Sequence, residues 1–336
     1  MKSLVVIDNE DRMDPAYNLA IEEFALRHMD PSKDYFLLYR NDSSVIVGRN
    51  QNILEEVNDF YIREKGIRIL RRLSGGGTVY HDPGNLNFSF ITRYEQSRLH
   101  NFAFFNEPLV KVLQSLGVPA EMNDRNDILV DGRKISGSAQ FSSRGRMFSH
   151  GTLLFDADLE EVERTLDVRM SNINSKSHKS VRSRVANISE FLTPSMDILS
   201  FRQRLLEGMI AGGIRLTHYK PTDSDFRTIA AICNDRYRTW EWNIGRSPRF
   251  QIVRSQPYRS ESVTLHLEVN KGVIEDVRFT TNNRENPDFS EISVKLKGIR
   301  YDRAHIDQLL NTHKRLLPEG VTANVLAGLL YGEDRD

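Results

Sequence analysis

Hydrophobic residues recur with two different periods along the first 240 positions. Over residues 19–25 they lie at helical spacing behind Asp14-Pro15, which predicts a helix with the aspartate as N-cap and proline at its first position. Two short apolar runs, 35–39 and 45–47, flank a turn-forming Asn-Asp pair and predict a β-hairpin. Leucine and phenylalanine alternate with polar residues over 86–90, which predicts a half-buried strand.

The hydrophobic periodicity of the chain changes once in its later part. Periodicity fades over 243–257, and beyond it two alternating runs meet at an Asn-Lys-Gly turn. We therefore expect an α+β (mixed α/β) protein with a large domain over 1–245, a linker over 246–256 and a small α+β domain over 257–336. Helical patterns in the large domain fall at 107–116, 157–167, 194–211 and 223–237.

Composition excludes several classes of protein. The 336 residues carry 46 basic and 46 acidic side chains, so no net field favours nucleic acid or a membrane surface as a partner. No apolar run approaches the ~18 residues of a membrane helix, and the N-terminus does not resemble a signal peptide. A single cysteine fits a reducing compartment. We expect a cytoplasmic protein.

The most informative segment is the run RRLSGGGTVYHD at 71–82. Three consecutive glycines let the backbone turn and present successive N–H groups, and such a nest binds phosphate or carboxylate. Arg71 and Arg72 would add mobile positive charge. The alternative is a flexible loop between solvated arginines, but the surrounding polar residues favour anion binding. The run matches neither a Walker loop nor a dinucleotide-binding fingerprint.

A second segment places a lysine on a strand. Asp131-Gly132 predicts a tight hairpin turn, and alternation puts Lys134, Ser136 and Ser138 on one face of the return strand. A solvated edge-strand lysine is the alternative interpretation. The small residues after Lys134, including Gly137, leave room for a ligand beside it.

A basic, serine-rich segment spans 169–189 without an acidic residue. Such segments are commonly mobile and solvated, and the functional alternative is a cationic flap that closes over a phosphorylated ligand. The chain has no Cys-x-x-Cys and no His-x-x-x-His pair, so we expect no metal site built by the protein alone. Cys233 lies on the apolar stripe of a predicted helix and is interpreted as a core residue. Chemistry without a protein nucleophile has to rely on positioning and on stabilising a developing anion.

Together these segments closely resemble the lipoate–protein ligases, whose catalytic domain shares its fold with biotin–protein ligases. The resemblance covers nearly the whole chain. It is carried by NLAIEE (18–23), VGRNQN (47–52), the run 71–82 with Gly84-Asn85, RND (125–127), RKISGS (133–138), HGTLL (150–154), SVRSRV (180–185) and WEW (240–242).

The resemblance implies a two-step reaction. Lipoate attacks the α-phosphate of ATP, used with Mg²⁺, and the lysine amine of a lipoyl carrier domain then attacks the lipoyl-adenylate. The implied carriers are E2 subunits of 2-oxoacid dehydrogenases and the glycine cleavage H protein. Lys134 is the implied catalytic residue, in contact with both the lipoyl carboxyl group and the α-phosphate.

The resemblance also implies binding roles, which fall into three sets. The nucleotide set is Arg72, Gly77, Thr78, Val79, Tyr80, Asn85, Asp127 and Lys134. The lipoate set is Tyr39, Ser74, Gly75, Gly76, His81, Lys134, Ser136, Gly137 and His150. The adenylate loop would contribute Lys176, Lys179, Arg182 and Arg184.

Several alternatives stay open or are disfavoured at this stage. Asp127 is a candidate magnesium ligand or a partner that orients Lys134. An octanoyl or lipoyl amidotransferase that works through a cysteine thioester is disfavoured, because Cys233 is the one cysteine; a cysteine-independent amidotransferase and a non-catalytic lipoyl-binding protein remain. Biotin is disfavoured as substrate because the glycine loop lacks the arginines of biotin ligases. Tyr39 stands where some relatives carry tryptophan, which leaves the dimensions of the lipoyl tunnel open.

Overall fold

The computed structural model describes residues 1–168, 173–181, 183–258, 261–281 and 287–332. The chain divides into two compact units. Unit 1 comprises Met1–Arg49, Lys65–Leu166 and Ser180–Thr239, and unit 2 comprises Asn50–Glu64, Asp167–Lys179 and Trp240–Asp336.

The regular elements, in chain order, are as follows. The strands are β1 (Ser3–Ile7), β2 (Tyr35–Arg40), β3 (Ser44–Val47), β4 (Arg68–Arg71), β5 (Val79–His81), β6 (Asn85–Arg93), β7 (Glu121–Met122), β8 (Ile128–Val130), β9 (Arg133–Ser136), β10 (Ser138–Ser143), β11 (Arg146–Leu154), β12 (Ile173–Ser175), β13 (Arg215–Tyr219), β14 (Phe250–Tyr258), β15 (Glu261–Asn270) and β16 (Val273–Thr281). The helices are α1 (Pro15–His28), α2 (Asp59–Lys65), α3 (Phe102–Ser115), α4 (Leu159–Leu166), α5 (Ile198–Ala211), α6 (Asp223–Ile232), α7 (Trp240–Asn243), α8 (Ser290–Leu296), α9 (Arg303–Thr312) and α10 (Ala323–Tyr331).

The described residues of unit 1 form three sheets. The largest has the order β10-β11-β6-β2-β1-β13, and two three-stranded sheets have the orders β4-β3-β5 and β7-β8-β9. The predicted hairpin of the two apolar runs is wrong, because β2 and β3 belong to different sheets. Each finds partners elsewhere: β2 pairs with β1 and β6, and β3 pairs with β4 and β5.

Strand β6 is buried on both faces, not half-buried as its alternation predicts. Leu86, Phe88 and Phe90 point into the main core, while Asn87 and Ser89 on the opposite face are also buried. The register places Ser89 beside His150 of β11, and His150 contacts Glu22 of helix α1. Helix α1 therefore covers the polar face of the sheet, which is why a polar stripe is removed from solvent.

The helical predictions hold, with shifted boundaries. Asp14 caps α1 by accepting from the N–H of Ala16, as expected. Helix α3 begins at Phe102, five residues before the predicted start, because Asn101 caps it there. The last predicted helix of unit 1 is α-helical to Ile232 and continues as one π-helical turn over Cys233–Tyr237.

Unit 2 contains a sheet of order β12-β14-β15-β16 with its own apolar core. The predicted turn between β15 and β16 is present, with positive φ at Lys271 and Gly272. The range 246–256, expected as a linker, is strand from Phe250 onward, because Phe250 and Ile252 alternate into this core. The mixed α+β architecture is as expected. In the part of the chain described here, every helix is too short or too polar to cross a membrane.

Candidate functional site

The glycine loop of unit 1 is built around the buried guanidinium of Arg72. Its Nη2 donates to the carbonyl oxygens of Gly75 (2.7 Å) and Gly77 (2.6 Å), its Nε to Ser74 Oγ (2.9 Å), and its Nη1 to the carbonyl of Ile46 (2.8 Å). The expected mobile charge is wrong for Arg72, and so is the alternative of a solvated side chain, because this residue is 6% exposed. Four carbonyl and hydroxyl acceptors hold it beneath the loop, so its charge is fixed there.

The same contacts determine where the loop N–H groups point. In a trans peptide the C=O of one residue and the N–H of the next point in opposite directions. Because the carbonyls of Gly75 and Gly77 face Arg72, the N–H groups of Gly76 and Thr78 face away from it. Thr78 N–H donates to Ser180 Oγ at 2.9 Å. Within the described residues, the N–H groups of the three glycines donate to no protein atom.

A hydrogen-bonded chain ties this loop to helix α1 and strand β11. Ser74 Oγ lies 2.7 Å from Nε2 of His150, and Nδ1 of His150 lies 2.8 Å from Glu22 Oε1. The carboxylate of Glu22 accepts, so Nδ1 carries the proton. All of these side chains are buried. Burial of the Glu22 charge is compensated by His150, and the chain holds the loop in one position over the sheet.

Two other expected lipoate-set residues lie in different sheets: Tyr39 is on β2, at the polar face of the six-stranded sheet, and His81 is on β5 of the β4-β3-β5 sheet. Tyr39 of β2 pairs with Asn87, and the Asn87 amide receives a hydrogen bond from Asn85. Burial, and next the Glu22 charge, raise the pKa of Tyr39 well above its ordinary value, so it stays a neutral phenol. Burial, with Arg72 and His150 nearby, lowers the pKa of His81 to about 3, so its ring is neutral.

Toward β10 the same face becomes apolar. Phe148 and Phe141 are paired across β11 and β10 with ring centroids 5.6 Å apart, and the Phe148 ring lies tilted against that of His150 with centroids 4.7 Å apart. A surface that is polar at one end and aromatic at the other suits a ligand with a charged head and an apolar tail. Val79 and Tyr80 lie in β5, where Tyr80 is buried and pairs with β3.

Lys134 lies on β9 and is held at its backbone and at its ammonium group. The predicted hairpin is present, with positive φ at Asp131 and Gly132. Nζ of Lys134 lies 2.8 Å from Asp127 Oδ1, and a Cβ on Gly137 would come within 2.9 Å of both Cε and Nζ. The absence of a side chain at Gly137 therefore creates the space that the lysine occupies. The other expected lipoate-set residue here, Ser136, is buried at the end of β9.

One segment of unit 1 contacts both the glycine loop and the lysine strand. Ser180 caps Thr78 N–H, while the carbonyl of Arg184 accepts from Lys134 N at 2.8 Å and Ala186 N donates to the carbonyl of Lys134 at 3.1 Å. The backbone over 184–186 is therefore paired with β9, and the closing of a cationic flap over a ligand stays a prediction. The loop and the lysine are positioned by one stretch of chain.

The remaining basic residues divide between the units. Lys176 and Lys179 belong to unit 2, where Nζ of Lys179 lies 3.3 Å from Glu55 Oε1. Ser177 Oγ donates to the same carboxylate at 2.8 Å. Arg182, expected in the adenylate loop, and Arg169, the expected start of the flap, lie outside the described residues.

The described ranges contain no group of three or more His, Cys, Asp or Glu side chains that could hold a metal ion. Of the two roles left open for Asp127, the geometry gives it the ammonium of Lys134 as a partner. Magnesium fits this site as a companion of nucleotide phosphates, because Mg²⁺ is commonly held by one or two carboxylates plus substrate phosphates.

Sequence reasoning missed four residues that build the site. Glu22 lies on a helix that is interpreted as amphipathic, Asn41 is interpreted as a turn residue, and Asn87 as a polar position of a strand. Ser180 belongs to the run SVRSRV that carries the resemblance, but the resemblance gives it no role of its own. Of these four residues, only Glu22 leaves a recognisable signal in the sequence, because an acidic residue is unusual among the apolar positions of a buried helix.

Comparison with known proteins agrees with this geometry. The family model described as the lipoyl protein ligase A/B catalytic domain matches residues 14–210, and that of the bacterial lipoate protein ligase C-terminus matches 247–330. The chain thus belongs to the lipoyl protein ligases as a class, and it is a member of the lipoate–protein ligase family. It is an enzyme of the ligase class.

Individual relatives support the assignment. The chain is 48% identical to the lipoate-protein ligase LplJ of Bacillus subtilis over 98% of both proteins. It superposes on the structure of a lipoate-protein ligase A bound with ATP with a TM-score of 0.62 and 29% identity, over 73% of this chain and 100% of that one. The ligase from a bipartite lipoate protein ligase and E2 lipoyl domain system of Thermoplasma acidophilum gives a TM-score of 0.62 and 29% identity, over 73% and 96%.

Proposed function

We propose that the glycine loop, Lys134 and the polar sheet face form one site that activates lipoate with ATP and transfers the lipoyl group to a carrier lysine. The observation that carries this proposal is the placement of Lys134. Its ammonium lies over Gly137, beside Asp127, on a strand paired with the segment that also caps the glycine loop. Family membership and the ATP-bound relative support the choice of substrates.

In the first half-reaction a carboxylate oxygen of lipoate forms a bond to the α-phosphorus of ATP as the bond to pyrophosphate breaks. Negative charge accumulates on the phosphoryl oxygens in this step. Amide N–H groups of the glycine loop and the Lys134 ammonium are pre-positioned donors for that charge. The nucleotide-set residues Gly77 to Tyr80 would hold the phosphates and the adenosine. Magnesium, bound with ATP, would neutralise the leaving pyrophosphate.

In the second half-reaction the ε-amine of a carrier lysine attacks the acyl carbon of lipoyl-adenylate. An amide bond forms, AMP leaves with the electron pair of the broken C–O bond, and the amine loses a proton. The oxyanion of the tetrahedral intermediate develops where the lipoyl carboxyl group was bound, so the same ammonium stabilises it. Lys134 forms no covalent bond in either step.

The carriers are lipoyl domains, of which E2 subunits and the glycine cleavage H protein are the proposed examples, and the proposed location is the cytoplasm. The E2 lipoyl domain has support from the Thermoplasma system described above. Intact-mass analysis of apo-E2 and apo-H carriers after incubation with the enzyme, ATP, magnesium and lipoate would test both. A gain of one lipoyl group on a lysine is expected for each, and an unmodified carrier removes that carrier from the proposal.

The decisive experiment replaces Lys134. Lys134→Ala should abolish lipoate-dependent pyrophosphate exchange and the formation of lipoyl-AMP, while the far-UV circular dichroism spectrum stays unchanged. Lys111→Ala is the matched control, because Lys111 is an exposed lysine of the same unit paired with Glu107. Near-normal accumulation of lipoyl-AMP by Lys134→Ala would show that another group stabilises the adenylate.

A further inference from the structure

The imidazole of His81 is buried and has one hydrogen-bond partner among the described residues. The side chain is 4% exposed. Its Nδ1 lies 2.9 Å from the side-chain nitrogen of Asn41, and within the described residues its Nε2 has no hydrogen-bond partner. Strand β5, which ends at His81, follows directly after the glycine loop, and Arg72 and His150 are close enough to lower the pKa of the ring.

The orientation of the Asn41 amide follows from its other neighbour. Nδ2 of Asn18 lies 2.9 Å from the backbone carbonyls of Arg12 and Arg40. Carbonyl oxygens only accept, so this atom of Asn18 is its NH₂ group. The atom of Asn41 that lies 2.9 Å from it is therefore the amide oxygen, and the NH₂ group of Asn41 faces His81.

This chain of amides selects one form of the imidazole. Because Asn41 donates, Nδ1 of His81 has to accept, and the proton of the neutral ring lies on Nε2. The lowered pKa of His81, about 3, means that the ring stays neutral at physiological pH. A buried N–H without a partner is unfavourable, so a ligand that accepts from Nε2 gains from binding there.

We propose that Asn41, oriented by Asn18, is a positioning residue that keeps His81 in its Nε2–H tautomer, so that Nε2 donates a hydrogen bond to an oxygen of the bound acyl group. The identity of that acyl group rests on the proposed function. The tautomer itself does not, and it can be measured in the protein without substrate.

The first test is nuclear magnetic resonance of protein with ¹⁵N-labelled histidine, in which the His81 signals are identified by their loss in His81→Gln. The wild-type ring should show the Nε2–H tautomer. Asn41→Asp is nearly isosteric but accepts at the same position, so it should switch the ring to the Nδ1–H tautomer. A wild-type Nδ1–H ring, or an Asn41→Asp ring that keeps its proton on Nε2, overturns the proposal.

The second test connects the tautomer to binding. In Asn41→Asp the switched ring can no longer donate from Nε2 to the lipoate carboxylate. Loss of this hydrogen bond should raise the KM for lipoate in pyrophosphate exchange roughly tenfold, while the KM for ATP stays within about twofold of wild type. Asn101→Asp is the control, because it adds the same charge at the exposed N-cap of α3, where aspartate caps equally well.

A double-mutant cycle separates this role from a merely structural one. The amide nitrogen of glutamine can take the place of Nε2 and has no tautomers. In a His81→Gln background, Asn41→Asp should therefore change the KM for lipoate less than about twofold. An equal penalty in both backgrounds overturns the positioning role. If wild type forms no lipoyl-AMP while the tautomer is as expected, the proposed function fails and the assignment of Asn41 to the tautomer stands.

Discussion

Gly137→Ala should separate activity from stability, because the atoms it displaces are the end of the proposed catalytic side chain. A Cβ at this position would lie 2.9 Å from both Cε and Nζ of Lys134. Ordinary contacts between such atoms are about 3.5–4.0 Å, so the end of the lysine has to move by roughly 0.6 Å or more. This movement would also take the ammonium group away from Asp127, whose Oδ1 lies 3.8 Å from the same Cβ.

The expected cost to folding is small. Gly137 does not have a left-handed φ, and at such a position alanine stabilises by about 0.4–1 kcal/mol through the unfolded state. Weakening the Lys134–Asp127 pair, whose side chains are 27% and 16% exposed, costs about 1 kcal/mol or less. The two contributions nearly cancel, so the free energy of unfolding should change by less than about 1 kcal/mol.

The expected cost to catalysis is large. A misplacement of about 1 Å at a reacting centre can reduce the rate by about 100-fold. We expect kcat/KM for lipoyl-AMP formation to fall by roughly that factor, measured by pyrophosphate exchange alongside urea unfolding. Gly117→Ala is the control with the opposite pattern: its φ is +87° with open space around it, so it should lose about 1 kcal/mol of stability and keep full activity.

Two results would refute this reasoning. If Gly137→Ala keeps kcat/KM within about threefold of wild type, the position of Lys134 does not limit adenylation. If its free energy of unfolding falls by more than about 3 kcal/mol, the backbone rather than the lysine yields to the added methyl group.

Three further predictions concern other parts of the chain. Cys233 is 1% exposed, so Cys233→Ala should keep full ligase activity at a stability cost of about 1 kcal/mol; lost activity in a folded variant would revive thioester transfer. The folded protein holds the His81 ring neutral because its pKa is about 3, whereas the unfolded chain protonates this histidine near pH 6.5. The free energy of unfolding should therefore be highest above pH 6.5 and fall by about 1.4 kcal/mol per pH unit between pH 6.5 and 3. Urea unfolding of His81→Gln should lack this slope, and identical slopes would contradict it. Glu55 forms an ion pair with the ammonium of Lys179, so Glu55→Gln should speed tryptic cleavage after Lys179. Unchanged cleavage kinetics would show that this ion pair does not restrain the segment.

Local chemistry in the sequence predicted the features that depend on neighbouring residues alone. Asp131-Gly132 specifies a tight turn because both residues tolerate positive φ, and it placed Lys134 correctly on the return strand. Asp14 and Pro15 specify the start of α1 for the same kind of reason. The glycine loop was recognisable because few structures need three consecutive glycines.

Strand partners could not be predicted this way. The two runs that flank Asn41 have the composition of a hairpin, yet β2 and β3 join different sheets. Short apolar strands pair with whichever edge buries them best, and that edge is supplied by residues far along the chain. Asn41 connects β2 of one sheet to β3 of another, and its side chain is hydrogen-bonded to His81.

The sequence by itself determined the family, the hairpin with its lysine and the glycine loop, because each depends on a contiguous motif. Only the tertiary structure decided that Arg72 is buried under the loop, that Glu22 and His150 hold the loop over the sheet, and that Ser180 caps Thr78. The physical reason is that a buried polar group has to be matched by a partner, and its partner is chosen by packing rather than by proximity in sequence.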